Sequence, residues 1–214
     1  MFLFTNENID KIKGIVYTTE PISDKKQGKI EYSKNEGLLK DFNYSKYKIK
    51  NPPKNTSMQT YSELNFLNDL PEDTEFVKKY DDIEGVFEEI CNNYNVNYPK
   101  ELVNELLKSS AGIILDLKYR YNRPRPKQLA KEYGMKIGGL KLESMFSPSY
   151  PSGHSTQSKI VGEILVEVTK DVEYRNIAEK ISISRNVGRV HFPSDSKLGE
   201  KLGEDLFEFL KNKR

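Results

Sequence analysis

Several things are scarce in this chain, and each scarcity excludes something. There is one cysteine, Cys91, among 214 residues, so no disulfide can form within the chain and a reducing compartment is expected. A lone thiol of this kind reads as a small buried apolar group. Long apolar runs are missing: the longest, Ala111–Leu115, is far too short to span a bilayer. The first residues, M-F-L-F-T-N-E-N-I-D-K, bring acidic and amide side chains too early for a secretory leader. The expectation is a soluble, cytoplasmic protein without a membrane span. Charge of one sign is also missing. The 34 basic and 32 acidic side chains leave a formal net charge of +2, which argues against a nucleic-acid partner and makes any basic patch local. Histidine is limited to His154 and His191.

What is present describes a folded helical chain. Tyrosine (13) and phenylalanine (10) are plentiful, and apolar positions recur at helical spacing, which excludes a disordered chain. The length suits one domain with a substantial core. Residues 1–50 are expected to form an irregular N-terminal arm, with strand-like content at Gly14–Thr19 and Lys29–Tyr32. Asn51-Pro-Pro-Lys54 breaks the chain, and residues 51–214 read as an all-α single domain. Thr56 or Ser57 caps a helix carrying Tyr61, Leu64 and Leu67. Another segment starts at Pro71–Thr74 and runs with an interruption to about Asn92. Pro99 opens a helix bearing Leu102, Val103, Leu106, Leu107, Ile113, Ile114 and Leu117, ending near Lys118 before Pro124 and Pro126. Residues 127–150 read as a loop with one short helical turn at most. Ser152 is an N-cap candidate by residue type, with Ile160, Val161, Ile164, Leu165 and Val168 expected as a buried stripe behind it. A further helix runs from Asp171 to about Val187. Pro193 starts the last, with Leu198, Leu202, Leu206 and Phe209 on one side.

Three segments carry the candidate chemistry. The first is K-Y-R-Y-N-R-P-R-P (Lys118–Pro126), the second P-S-G-H (Pro151–His154), and the third S-R-N-V-G-R-V-H-F-P-S-D (Ser184–Asp195). A metal-free phosphoester hydrolase needs fixed cations for the phosphoryl oxygens, and Lys118, Arg125 and Arg185 can supply them. It needs a neutral histidine as nucleophile, oriented through its other ring nitrogen. Asp195 follows His191 by four residues, about one helical turn, so it can play that part if the stretch is helical and Pro193 permits the geometry. It also needs a proton donor for the leaving oxygen, and His154 is the remaining candidate. Ser152 and Gly153 begin a helix whose free amides attract anions. Such a pair of histidines, one protonated and one neutral, calls for an acidic to neutral pH optimum. Blander readings stand beside these. Lys118, Arg123 and Arg125 could be solvated charges ending a helix, His154 a satisfied N-terminal histidine, and Arg185 with Asp195 a structural ion pair.

Written as patterns, the segments are K-x6-R-P (Lys118, Arg125, Pro126), P-S-G-H, and S-R-x5-H-x3-D (Ser184, Arg185, His191, Asp195). This tripartite signature resembles that of the phosphatidic acid phosphatase type 2 and vanadium haloperoxidase superfamily. The motif-bearing likeness covers about residues 100–210. Asn55–Leu70 is similar to an early helix of the soluble bacterial class A acid phosphatases. The resemblance implies a helical bundle of the acid phosphatase/vanadium chloroperoxidase type. It implies that His191 attacks phosphorus to give a phosphohistidine, that Asp195 orients it, and that His154 is the general acid and later activates water. Lys118, Arg125, Ser152, the Gly153 amide and Arg185 would hold the phosphoryl oxygens of a small phosphorylated substrate. No metal or other cofactor is implied for a phosphatase member, and homo-oligomers are a further expectation, with the N-terminal arm as a contact. The leading expectation is a soluble, metal-independent phosphomonoesterase. The alternatives are a vanadate-dependent haloperoxidase, since the same residues can hold vanadate, and a non-catalytic anion-binding scaffold.

Overall fold

A computed structural model of the chain describes residues 6–44, 49–140, 142 and 145–213. Ten helices and no strand are found among the described residues. In chain order they are α1 (Asn6–Lys13), α2 (Asp24–Asn35), α3 (Met58–Asp69), α4 (Thr74–Lys79), α5 (Ile83–Asn93), α6 (Lys100–Tyr121), α7 (Pro126–Glu132), α8 (Gly153–Thr169), α9 (Glu173–Val187) and α10 (Pro193–Asn212).

Helix starts follow local chemistry. Ser57, Asp73, Asp82 and Ser152 each accept from a backbone amide in the first turn that follows, which satisfies one orphan donor of that turn. Pro126 and Pro193 occupy the first positions of α7 and α10, where a missing N–H costs nothing. α6 runs three residues beyond the expected end and stops at Asn122, whose φ of 47° is left-handed. Lys118 is therefore in the last turn of α6 and faces inward rather than trailing into solvent.

The centre of the bundle is α8, which packs on α9, α10 and α6. Ile160, Val161 and Leu165 of α8 are fully buried with Val103, Leu106, Ile113 and Leu117 of α6, Ile181 of α9, and Leu202 and Leu206 of α10. Apolar burial of this extent is the main stabilising term of such a fold. α10 comes very close to the first turn of α8. A Cβ on Gly199 would lie 2.5 Å from the Ser152 carbonyl oxygen, so glycine is what allows the two helix starts to meet. A smaller core joins Ile12, Leu64, Leu67, Leu129, Tyr133, Ile137 and Phe192. It places the chain around His191 between two apolar clusters. Cys91 is buried, with its sulfur 3.5 Å from the Tyr174 hydroxyl.

Two expectations need correction. The first 50 residues are not an irregular arm, because they contain α1 and α2, and strand-like Lys29–Tyr32 lies inside α2. Ile30 is the one apolar side chain that α2 buries, so its sequence carries no helical stripe. α6 holds it instead: the Gly112 amide donates to Ser33 Oγ at 3.1 Å, and Tyr32 OH donates to Glu105 at 2.8 Å. Residues 127–150 also hold more helix than one turn, since α7 has 7 residues, about two turns.

Candidate active site

The third segment forms the end of α9, a tight turn and the start of α10. Arg185 is in the last turn of α9, and its carbonyl oxygen accepts from the Val190 and His191 amides. Asp195 lies in the first turn of α10. Its Oδ2 accepts from the Phe192 amide at 2.9 Å, an N-terminal cap that fixes the carboxylate before any ligand arrives. The same oxygen lies 3.3 Å from His191 Nδ1 and accepts from Ser149 Oγ at 2.5 Å.

His191 Nε2 lies 3.0 Å from Arg125 Nη1. A carboxylate only accepts and a guanidinium only donates, so the proton is on Nδ1 and the lone pair on Nε2. Burial drives the His191 pKa well below its usual value, and Arg125 and Lys118 add to that against the pull of Asp195. The ring is thereby kept neutral. Burial alone would raise the Asp195 carboxyl, but Arg123, His191 and Ser149 outweigh it and hold it well below the usual carboxylate range.

Three cations converge here. Lys118 Nζ donates to the carbonyls of Pro148 (2.6 Å) and Ser149 (3.4 Å). Arg125 donates to the carbonyls of Ser147 (2.9 Å) and Val190 (2.7 Å). Burial lowers the Arg125 pKa to about 10 and lowers that of Lys118 well below its usual value, with Arg125 contributing. An anion placed between them would relieve both penalties, because desolvated like charges favour a counter-charge. Arg185 is fully buried; its Nη1 donates to Asp81 Oδ1 at 2.5 Å, and its Nη2 to Ser184 Oγ at 2.8 Å.

The P-S-G-H segment closes the arrangement. The Ser152 amide donates to the Asp195 carbonyl at 3.0 Å. Ser152 Oγ is occupied as the cap of α8, accepting from the Ser155 amide and hydroxyl. A Cβ on Gly153 would lie 4.0 Å from Lys118 Cε, so the Gly153 backbone flanks Lys118. His154 Nε2 lies 3.0 Å from the Asp81 carbonyl oxygen and 3.5 Å from its carboxylate. Burial lowers the His154 pKa, and Asp81 opposes that. The His154 side chain is 17% exposed against 2% for His191, so His154 is the more accessible of the two rings.

The three segments are thus brought together, with contacts linking Arg125 to His191, Ser152 to Asp195, and His154 through Asp81 to Arg185. Two of the three bland readings are corrected by the same contacts, while His154 is at the start of α8 with its Nε2 satisfied by Asp81. Lys118, Arg123 and Arg125 are buried, not solvated, and Arg185 pairs with Asp81 rather than with Asp195. Asp81 and Glu63 were missed in the sequence, and Arg123 was named there only as a candidate solvated charge. Asp81 holds both Arg185 and His154, and their contacts keep its carboxyl down at about 2. Arg123 bonds Asp195 Oδ1 at 2.6 Å, and Glu63 bonds Arg123 at 3.3 Å. Asp81 and Glu63 lie outside every motif, so no local signal marks them. Among the described residues, no cluster of His, Cys, Asp and Glu is arranged to hold a metal ion.

Neither a protein-family profile nor a curated protein matches the chain. Solved structures do. The chain is similar to the first bacterial vanadium-dependent iodoperoxidase of known structure, with a TM-score of 0.51 at 19% identity, over 92% of this chain and 51% of that one. It therefore spans about half the length of that enzyme. A transmembrane PAP2-type phosphatidylglycerolphosphate phosphatase from Bacillus subtilis also aligns, at 20% identity and a TM-score of 0.42, over 89% of this chain and 86% of that one. The fold is the all-α fold of the vanadium haloperoxidases. It agrees with the superfamily resemblance that the three motifs carry. Among the described residues, no helix is long and apolar enough to cross a membrane.

Proposed function

We propose that the chain is a metal-independent phosphatase that hydrolyses phosphate monoesters through a phosphohistidine at His191. The observation that carries this reading is the fixed state of one imidazole. Its Nδ1–H is tied to Asp195 and its Nε2 lone pair is held against Arg125, as a neutral nitrogen nucleophile requires.

In the first step Nε2 of His191 attacks phosphorus and the P–O bond to the leaving group breaks. His154, protonated, gives its proton to the departing oxygen. Lys118, Arg125, Arg185 and the Gly153 amide meet the charge on the phosphoryl oxygens, and Asp195 stabilises the positive charge that develops on the ring. In the second step water attacks phosphorus, now-neutral His154 takes its proton, and the N–P bond breaks. Orthophosphate leaves, and both histidines return to their starting states. The exposed edge of His154 fits a leaving group that departs toward solvent.

A second reading is favoured by the fold likeness to the iodoperoxidase: a vanadate-dependent peroxidase. Lys118, Arg125, Arg185 and the His191 lone pair suit vanadate as well as phosphate, and bound vanadate would supply peroxide activation. One assay separates the two. Phosphate release from a panel of monoesters in EDTA is the expected result. Halide oxidation by peroxide with added vanadate, without phosphate release, is the outcome that replaces the phosphatase reading.

A further inference from the structure

Asp195 uses its two oxygens for different tasks. Oδ2 takes His191, Ser149 and the Phe192 amide. Oδ1 takes Arg123 Nη1 at 2.6 Å. Arg123 is 2% exposed and extends to two other groups: Nη1 reaches Ser194 Oγ at 2.7 Å and Nη2 reaches Glu63 at 3.3 Å. Glu63, on α3, also accepts from the Ser194 amide at 3.1 Å and from its hydroxyl at 2.8 Å. The face of the guanidinium is covered by Phe192, with the ring centroid 4.0 Å from Cζ. The early helix α3 is thus clamped to the first turn of α10, with the carboxylate of Asp195 between them.

We propose that Arg123 and Glu63 are positioning residues, which set the orientation and basicity of His191 by fixing Asp195 from the side opposite the imidazole. Neither touches the place where substrate would be held. The fork of Arg123 pins Oδ1, so Oδ2 can point only at His191. Its charge also offsets part of the field of Asp195, and Glu63 offsets part of the charge of Arg123. The other charged groups acting on the pair are Arg125, at Nε2 on the far side of the imidazole, and Lys118. In a buried site, such neighbours move a titration by one unit or more. The catalytic consequence rests on the phosphohistidine reading, but the positioning does not.

The test is nitrogen-15 NMR of the two histidine rings in the substrate-free protein, for wild type, Arg123→Gln and Glu63→Gln. Wild type is expected to show His191 as a single Nδ1–H tautomer. In R123Q the unbalanced carboxylate raises the His191 midpoint by about one unit, and the freed carboxylate rotates, which mixes the tautomers. In E63Q the negative field of Glu63 is lost, so the midpoint does not rise. Opposite behaviour in neighbouring substitutions separates positioning from loosened packing, because a loosened core relieves burial and raises the midpoint in both. Should R123Q fail to fold, Arg123→Lys takes its place: it keeps the charge but cannot bridge both carboxylates, so mixed tautomers are expected. A single tautomer with an unmoved midpoint in the Arg123 variant, or an equal rise in E63Q, overturns the proposal. No turnover enters this measurement, so its failure is distinct from a failure to release phosphate.

Discussion

Arg185 donates to Asp81 across 104 residues of chain, at 2.5 Å. Asp81 is in the short link between α4 and α5, outside the three motifs, and the same residue receives His154. One residue therefore couples Arg185, the cation proposed to bind the phosphoryl group, to His154, the proposed proton donor.

The Asp81→Asn variant is expected to lose about 10²-fold in kcat/KM, the magnitude for one misplaced electrostatic contact. The sign of the accompanying pH shift follows from the charges. Asp81 favours protonated His154, so its neutralisation lowers the His154 pKa and moves the alkaline limb of the rate profile to lower pH. A profile reduced in height but unmoved would assign Asp81 a structural part alone.

The pH dependence of the unaltered protein follows from the two histidines. In the proposed mechanism His154 must carry a proton, and burial lowers its pKa from the ordinary value near 6.5. His191 must be neutral, and it is held still lower. The rate falls on the alkaline side as His154 loses its proton and on the acid side as His191 gains one. The kcat/KM profile, which reports the free enzyme, is expected to peak below about pH 6.5. A maximum at alkaline pH would contradict this pair of roles.

Stability should fall as the solution is acidified, in two stages. A histidine with a depressed folded pKa leaves the unfolded state binding more protons, so His191 and His154 contribute stability that is present above about 6.5 and is lost below it. The Asp81 carboxyl, lowered to about 2, adds stability that is present above its unfolded value near 3.9 and lost as pH falls toward 2. Chemical denaturation at a series of pH values checks this. The same series shows which part of the acid limb of activity is unfolding. A denaturation midpoint that rises on acidification from pH 7 to 5 would contradict it.

Gly112→Ala tests whether α2 belongs to the bundle. A Cβ there would lie 2.1 Å from the Lys29 carbonyl oxygen and 2.3 Å from Ser33 Oγ. The substitution is expected to destabilise by about 1–3 kcal/mol, read by chemical denaturation. An unchanged midpoint would mean that α2 does not pack on α6.

The all-α fold was legible in the sequence, and so was part of the arrangement of the three motif segments. His191 and Asp195 are four residues apart, so their contact was a candidate from spacing, but it forms across the start of α10, with His191 ahead of the helix that Pro193 opens. The K-x6-R-P and P-S-G-H segments lie at helix ends whose caps can be read from residue type. Asp81 and Glu63 could not be read this way. Their partners in the site are 60 to 131 residues away, and an isolated carboxylate carries no periodicity. Arg123 was visible, but its burial depends on Glu63. The helix α2 escaped for a related reason: its close contact with α6 depends on Gly112 in another helix, and its own sequence buries one apolar side chain.

The most direct test of the central claim is to quench the enzyme during turnover of a phosphate ester, under conditions that preserve N–P bonds, and map the label by peptide mass spectrometry. Phosphate is predicted on the peptide bearing His191, absent in His191→Ala, whose phosphate release should fall by roughly 10⁴-fold or more. Label on another residue, or full turnover by the variant, would contradict the account.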